Sequence, residues 1–190
     1  MVEWLLVPGA YCLGSISSAI IVCRIMGLPD PRKQGSGNPG ATNVMRLGGK
    51  KAAAITLAGD MLKGLLPVLA AKLMDVPVTL LASVGMAAFL GHLYPVFFRF
   101  QGGKGVATSF GVLLGFSWII GLMVLATWVL IYKLYGISSL AALVTAVLTP
   151  GYVGWLSGDW SLFAVTLLIS VWLIVRHKSN IQKLLEGTEN

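Results

Sequence analysis

Charge is what this sequence has least of. Of its 190 residues 11% are charged and 56% are hydrophobic, where a soluble domain carries roughly 25% charge. So few charges cannot coat a water-exposed surface, and the mean hydropathy of +0.83 points the same way. An ordinary soluble domain is excluded, and the apolar excess must face lipid. Acid is scarcer than base: seven Asp and Glu stand against 14 Lys and Arg, for a net charge of +7. In a soluble protein that balance would suggest nucleic acid, but the signals of a nucleic-acid binder are missing. Basic cytoplasmic loops and anionic ligands or lipids explain the charge better. Cysteine is limited to Cys12 and Cys23. On one helix they lie about three turns apart, too far for a bridge, and they read as small core hydrophobes. No Cys and His spacing suits a metal, so neither a metal nor a cofactor is expected.

What the chain does have is apolar runs, at about 2–24, 52–74, 78–98, 106–132, 138–157 and 160–176. A helical crossing needs roughly 20 residues. The first run lacks the basic start of a signal peptide and is expected to stay as a helix. The run 106–132 is long for one crossing and carries Gly115 and Gly121 near its middle. Charge bears on how often it crosses. Arg24, Arg32, Lys33, Arg46, Lys50 and Lys51 crowd the first loop, Arg99 and Lys104 the second, and Lys133 a third. Arg176, Lys178 and Lys183 lie in the tail, whereas Glu3, Asp75 and Asp159 sit at the other turns with Lys72 as the one exception. An excess of cations on the inside puts the N-terminus outside and the basic loops and tail in the cytoplasm. Both ends of 106–132 are then inside, so it crosses an even number of times. The expected fold is an all-α membrane bundle of about seven helices, some short, forming a single domain over 1–190. Six spans is the alternative, and it breaks the charge bias at one loop.

Three polar clusters interrupt the apolar pattern. In the first, residues 35–40 read Gly-Ser-Gly-Asn-Pro-Gly, a formal match to the dinucleotide pattern. That pattern needs a preceding strand, and here a membrane helix precedes it. Its physics survives: glycines let the backbone curl so that N–H groups face an anion. A helix starting near Ala41 adds its positive end, and Arg46 offers a fork suited to phosphate. An ordinary Gly, Asn and Pro turn is the plain alternative. In the second, Gly102-Gly103-Lys104-Gly105 stands where a helix should begin. It lacks the spacing of a Walker loop, yet a lysine among glycines at a helix start can hold phosphate. Lys104 as a simple inside-facing cation is the alternative, and nearby His92 reads as a structural hydrogen-bonder. The third, Arg176-His177-Lys178-Ser179-Asn180, closes the last span. If the helix continues, His177 and Asn180 share a face; a cationic membrane exit explains the Arg and Lys alone. Asp60 and Lys63, at i,i+3 inside a run, read as an interior ion pair. Ser138 and Ser139 read as a helix start.

Taken in order, Gly14-Ser15, residues 35–46, 59–64 and 91–108, Ser139-Leu140 and residues 176–189 resemble one family. It is the bacterial acyl-phosphate:glycerol-3-phosphate acyltransferases, integral membrane enzymes of phospholipid synthesis. The resemblance covers nearly the whole chain. It implies a small seven-helix bundle in the bacterial inner membrane with its active site at the cytoplasmic face. The implied partners are acyl phosphate, glycerol 3-phosphate and membrane lipid, with no nucleic acid, and a monomer is expected. The implied reaction moves an acyl group from acyl phosphate to the 1-hydroxyl of glycerol 3-phosphate, the first committed step of phospholipid synthesis. By the same resemblance Ser36, Lys104, Ser139, His177 and Asn180 are catalytic candidates. Gly37, Asn38, Asn43, Arg46, Gly102 and Gly103 are substrate-binding candidates. The pattern departs at Lys183, where members often have Arg, and at Ser17, where many have Pro. Neither His92 nor His177 has an Asp five residues on, where Phe97 and Gln182 stand, so the histidine–aspartate pair of many glycerolipid acyltransferases is missing. A transporter of phosphate compounds shares the basic glycine loops, but the chain shows no clear repeat of the transporter kind. A non-catalytic lipid-binding subunit is the third class.

Overall fold

A computed structural model describes residues 2–189, which form helices with no strand among them. A 3-10 turn at Val2–Leu5 leads into α1 (Leu6–Gly14) and α2 (Ser18–Ile25). There follow α3 (Ala41–Leu73), α4 (Val78–Leu93), a 3-10 turn at Val96–Phe98 and α5 (Val106–Phe116). The chain ends with α6 (Trp118–Tyr135), α7 (Ser138–Ser157), α8 (Trp160–Arg176) and α9 (Lys178–Leu185). By length and composition α3, α4 with its following turn, α6 and α7 can each cross a bilayer. Two bent pairs can do so as well, α1 with α2 at 41° and α8 with α9 at 59°. The short apolar α5 brings the apolar segments to the expected seven. The helix expected near Ala41 begins there, and Gly49 (φ 74°, ψ −171°) then breaks α3 just before Lys50 and Lys51.

The run 106–132 divides at Ser117, between the two glycines, where the backbone turns extended (φ −156°, ψ 129°). A Cβ on Gly121 would lie 2.9 Å from the Cα of Leu114. Seven residues along a straight helix are about 10 Å apart, so the chain doubles back here. At 11 residues, α5 rises about 16 Å, near half of a ~30 Å hydrocarbon core. Lys72, the exception in the charge pattern, donates from Nζ to the Phe116 carbonyl at 2.9 Å. A cation there satisfies the end of α5 and opposes its negative pole. Asp159 does the converse at α8, accepting from the N–H groups of Ser161 and Leu162 at 2.8 and 3.0 Å.

Helices in lipid gain little from apolar burial against one another, so close backbone packing matters more. Here α3 and α5 meet through glycine. A Cβ on Gly111 would collide with the Met61 carbonyl oxygen, and one on Gly64 with that of Thr108. Gly111→Ala should therefore cost about 1–3 kcal/mol, the usual penalty of overpacking, read as a lower thermal midpoint in detergent. Gly151→Ala is the control, since open space surrounds that position on α7; its midpoint should hold or rise. The main core runs through Val68, Leu80, Val84, Phe89, Leu93, Val112 and Val153. A smaller one joins α2 to the start of α3 through Ala19, Val22, Cys23, Val44 and Ala52. Cys23 is thus the core hydrophobe expected, whereas Cys12 is exposed on the bundle's outer surface. Because the spans alternate in direction, the end of α2, the starts of α3, α5 and α7, and the ends of α4, α6 and α8 gather at one end. That end carries the basic loops.

Candidate active site

The first loop is built around Asn43, in the first turn of α3. Its side chain accepts from the Ser36 N–H at 2.9 Å and donates to the carbonyls of Pro31 and Gln34 at 2.8 and 3.0 Å. Only 1% of it is exposed, and these three bonds fix the course of the loop. Gly35 (φ 64°) lies against the same side chain, and its absent Cβ leaves room for Asn43 Oδ1. An Asp30–Arg32 ion pair at 2.7 Å closes the loop's outer edge. This hydrogen bond and charge hold the Asp30 carboxyl below its usual range, against a smaller opposing effect of burial.

The second loop is held by Arg176. Its Nη2 donates to the carbonyls of Gly102 and Gly103 at 3.0 and 3.1 Å, and its guanidinium lies 5.8 Å from the centre of the Tyr94 ring. The Gly103 N–H is taken by the His92 carbonyl at 3.2 Å. In a trans peptide the N–H opposes the carbonyl, so the Lys104 N–H points away from Arg176. Lys104 Nζ donates to Asn180 Oδ1. Asn180 Nδ2 donates in turn to Glu189 Oε1 at 2.5 Å, and Ser139 Oγ donates to the same oxygen at 2.6 Å. One carboxylate from the tail therefore joins the start of α7, α9 and, through Asn180, the second loop. Ser139 is not a helix cap: the cap position is Ile137.

The bend between α8 and α9 falls at His177, one residue past α8 at the basic end of the bundle. Its Nδ1 lies 2.8 Å from the Leu173 carbonyl. A carbonyl can only accept, so Nδ1 carries the proton and Nε2 keeps the lone pair. Burial, with 3% exposed, pushes this imidazole down to about 4, the Leu173 bond opposing it and the Lys104 charge adding to it. At neutral pH the ring is uncharged. Burial also lowers Lys104; Glu189 counters, while Lys183, Arg176 and Arg46 push further down. Burial raises the Glu189 carboxyl, but the Ser139 and Asn180 bonds and the Lys104 and Lys183 charges outweigh it and leave it low.

A rate that needs Lys104 charged must fall as pH rises through this lowered pKa. The alkaline limb of kcat/KM should lie below the ordinary lysine range. Glu189→Gln removes the charge that opposes deprotonation and should move the limb lower still. Lys104→Arg should erase it, because guanidinium stays protonated. A pH profile of the three proteins checks this.

Ser36, Gly37, Asn38, Asn43, Arg46, Gly102, Lys104, Ser139, His177 and Asn180 all line one cavity of about 620 Å³. Among the candidates Gly103 alone stands outside that lining. Arg176, Lys183 and Glu189 also line it, and they were not among the candidates. The signal for Arg176 was its place beside His177; for Glu189 it was an acid in a basic tail. Deeper in, much of the wall is apolar, with Leu57 and Met61 of α3, Phe110 and Leu113 of α5, Trp128 of α6, and Ile169 and Leu173 of α8, and the hydroxyls of Thr145, Thr149, Thr166 and Ser170 stand among them. Asp60 and Lys63 form the expected pair at 2.8 Å, with side chains 4% and 5% exposed, and His92 joins them.

A cationic mouth built from three loops, opening into a largely apolar slot between helices, defines a multi-pass membrane protein with a site for anions at one end of its bundle. The model of the glycerol-3-phosphate acyltransferases matches residues 4–187, and the chain belongs to that family. The glycerol-3-phosphate acyltransferase of Methylococcus capsulatus is 61% identical over 188 residues, covering 99% of this chain and 95% of that one. The one from Thioalkalivibrio sulfidiphilus is 55% identical, covering 97% and 91%. The fold is similar to crystal structures of PlsY (YgiH), an integral membrane glycerol 3-phosphate acyltransferase. Its glycerol 3-phosphate form gives a TM-score of 0.95 at 37% identity, covering 100% of this chain and 95% of that one. Its lysphosphatidic acid form gives 0.92 at 36%, with the same coverage. This protein is an acyltransferase of phospholipid biosynthesis.

Proposed function

We infer that the enzyme transfers an acyl group from acyl phosphate to the 1-hydroxyl of sn-glycerol 3-phosphate. The products are 1-acyl-glycerol 3-phosphate (lysophosphatidic acid) and phosphate. The observation that carries this reading is the cavity itself, which sets Arg46, Lys104 and Arg176 above an apolar slot. Two anionic heads suit the cations, and an acyl chain suits the slot. Leu57 and Leu125, which line it, are well exposed, which supports an open slot between helices rather than a sealed cavity. The relatives' names and the two ligand forms of the PlsY structure support the acceptor and the product.

The glycerol hydroxyl oxygen attacks the acyl carbonyl carbon, and the carbon–oxygen bond to phosphate then breaks. Phosphate is already a good leaving group, so positioning matters more than covalent catalysis. Lys104 and Arg46 hold the phosphates, the Ser36 hydroxyl donates to one of them while the Ser36 and Gly37 N–H groups, taken by Asn43 and the Gln34 carbonyl, shape the loop, and Ser139 and Asn180 orient the acceptor or steady the oxyanion. His177 keeps a lone pair on Nε2, but a pKa of about 4 makes it a weak base. The hydroxyl proton passes to substrate phosphate, and His177 orients. The basic end of the bundle is cytoplasmic, with the N-terminus outside, in the bacterial inner membrane. The donor is tested by supplying acyl phosphate or acyl-CoA to the purified protein with labelled glycerol 3-phosphate. Acyl phosphate alone should give product; activity only with acyl-CoA overturns the donor.

A further inference from the structure

Asp60, Lys63 and His92 are buried, ionisable and without a part in the chemistry above. Such groups are costly within a membrane span. Lys63 neutralises Asp60 at 2.8 Å and also donates to the Ile16 carbonyl, at the break between α1 and α2, at 2.7 Å. That accounts for Lys63. It does not account for His92, whose Nδ1 lies 3.6 Å from Asp60 Oδ1 without a hydrogen-bond partner.

The other side of the His92 ring meets the second loop. A Cβ on Gly103 would collide with His92 Nε2, and would lie 3.1 Å from the Pro39 carbonyl oxygen of the first loop. A Cβ on Gly102 would collide with the His92 carbonyl. The imidazole therefore sits against Gly103, where the two anion loops meet. Asp60 also reaches the helix that follows: its backbone carbonyl accepts from Thr108 Oγ1, in the first turn of α5, at 2.9 Å. Asp60 and His92 thus bracket Lys104, one through the loop before it and the other through the helix after it.

We propose that His92, oriented by Asp60, is a positioning residue that fixes the glycine loop and so places Lys104 for its anion. Asp60 faces Nδ1 at 3.6 Å and its charge orients the ring; the Nε2 edge packs against Gly103 and sets its height. The role is exerted through the loop, with no direct part in moving the proton. The contact at Nε2 is one of packing, so only a side chain of similar length can hold the loop in the same way.

This proposal rests on the acyltransfer reading, and product formation by the unaltered enzyme in the same assay tests that reading separately. The experiment compares His92→Gln, His92→Asn and His92→Phe in purified enzyme, with KM for each substrate, kcat and thermal midpoint. Gln can place its amide nitrogen near Nε2, whereas Asn reaches only the Nδ1 position. His92→Phe, which overpacks the loop, and His92→Asn, which leaves a gap beneath it, should each raise KM for a phosphate-bearing substrate by about tenfold, the scale of a misfitted contact. Their kcat should stay within about threefold, and His92→Gln should recover most of the loss. Asp60→Asn with Lys63→Met, which leaves no unpaired lysine, should add nothing to His92→Phe if the two act in series. The proposal is overturned if Asn rescues and Gln does not. It is equally overturned if kcat and midpoint collapse together in all three His92 variants, or if the Asp60 and His92 effects add. Should the Asp60 variant fail to fold, the Gln and Asn comparison decides alone.

Discussion

Lys104→Ala is expected to lower kcat/KM by about a thousandfold, the scale seen when a preorganised electrostatic group is removed, while His177→Ala keeps measurable turnover. The difference follows from what each side chain can do. Lys104 is the cation at the start of α5, bonded through Asn180 to a carboxylate that also holds Ser139. Its removal takes away the anion partner and leaves Asn180 without its donor. His177 is uncharged and a weak base, its Nδ1 committed to Leu173. On the proposed mechanism, losing it removes orientation and leaves the phosphate to take the proton. Kinetics of both variants, with thermal midpoints to show that they fold, make the comparison. Equal abolition at unchanged midpoint would give the proton to His177 and contradict the substrate-base mechanism.

The second large effect is at Arg176. Arg176→Ala should cost about a hundredfold in kcat/KM, the penalty of misplacing a catalytic group by roughly 1 Å. Arg176→Lys should do little better. The guanidinium binds two successive carbonyls, with Nε also 3.3 Å from that of Gly103. A lysine carries the charge without that planar fork. Near-normal activity in Arg176→Lys would mean that only the charge matters, and the loop-clamping role would be wrong.

Much of this arrangement is local and therefore legible in the sequence. Glycine punctuation marks the starts of α3 at Ala41 and α5 at Val106, and i,i+3 spacing pairs Asp60 with Lys63. Charge asymmetry groups the loops that prove to share one cavity. What the sequence conceals is long-range pairing. Ser139 looks like a helix cap because its partner, Glu189, lies 50 residues away. His92 looks like a lone histidine because Asp60 is on another helix. Asn43 looks like a ligand-binding amide, yet its partners are the carbonyls of its own loop. The break at Ser117 is marked only loosely, by Gly115 and Gly121 on either side, because the turn is also held from outside by Lys72 of α3. Gly103 reads as part of the anion cradle, but Arg176 and His92 occupy its backbone groups from behind.

The proposed reaction is acyl transfer between two phosphate-bearing substrates, carried out by one chain. Its most direct test gives purified protein in detergent only acyl phosphate and labelled glycerol 3-phosphate. Phosphate and labelled lysophosphatidic acid should appear in equal amounts, with no other component required. Absence of product, together with movement of intact glycerol 3-phosphate across vesicles that contain the protein, would contradict the claim and make the cavity a transport path.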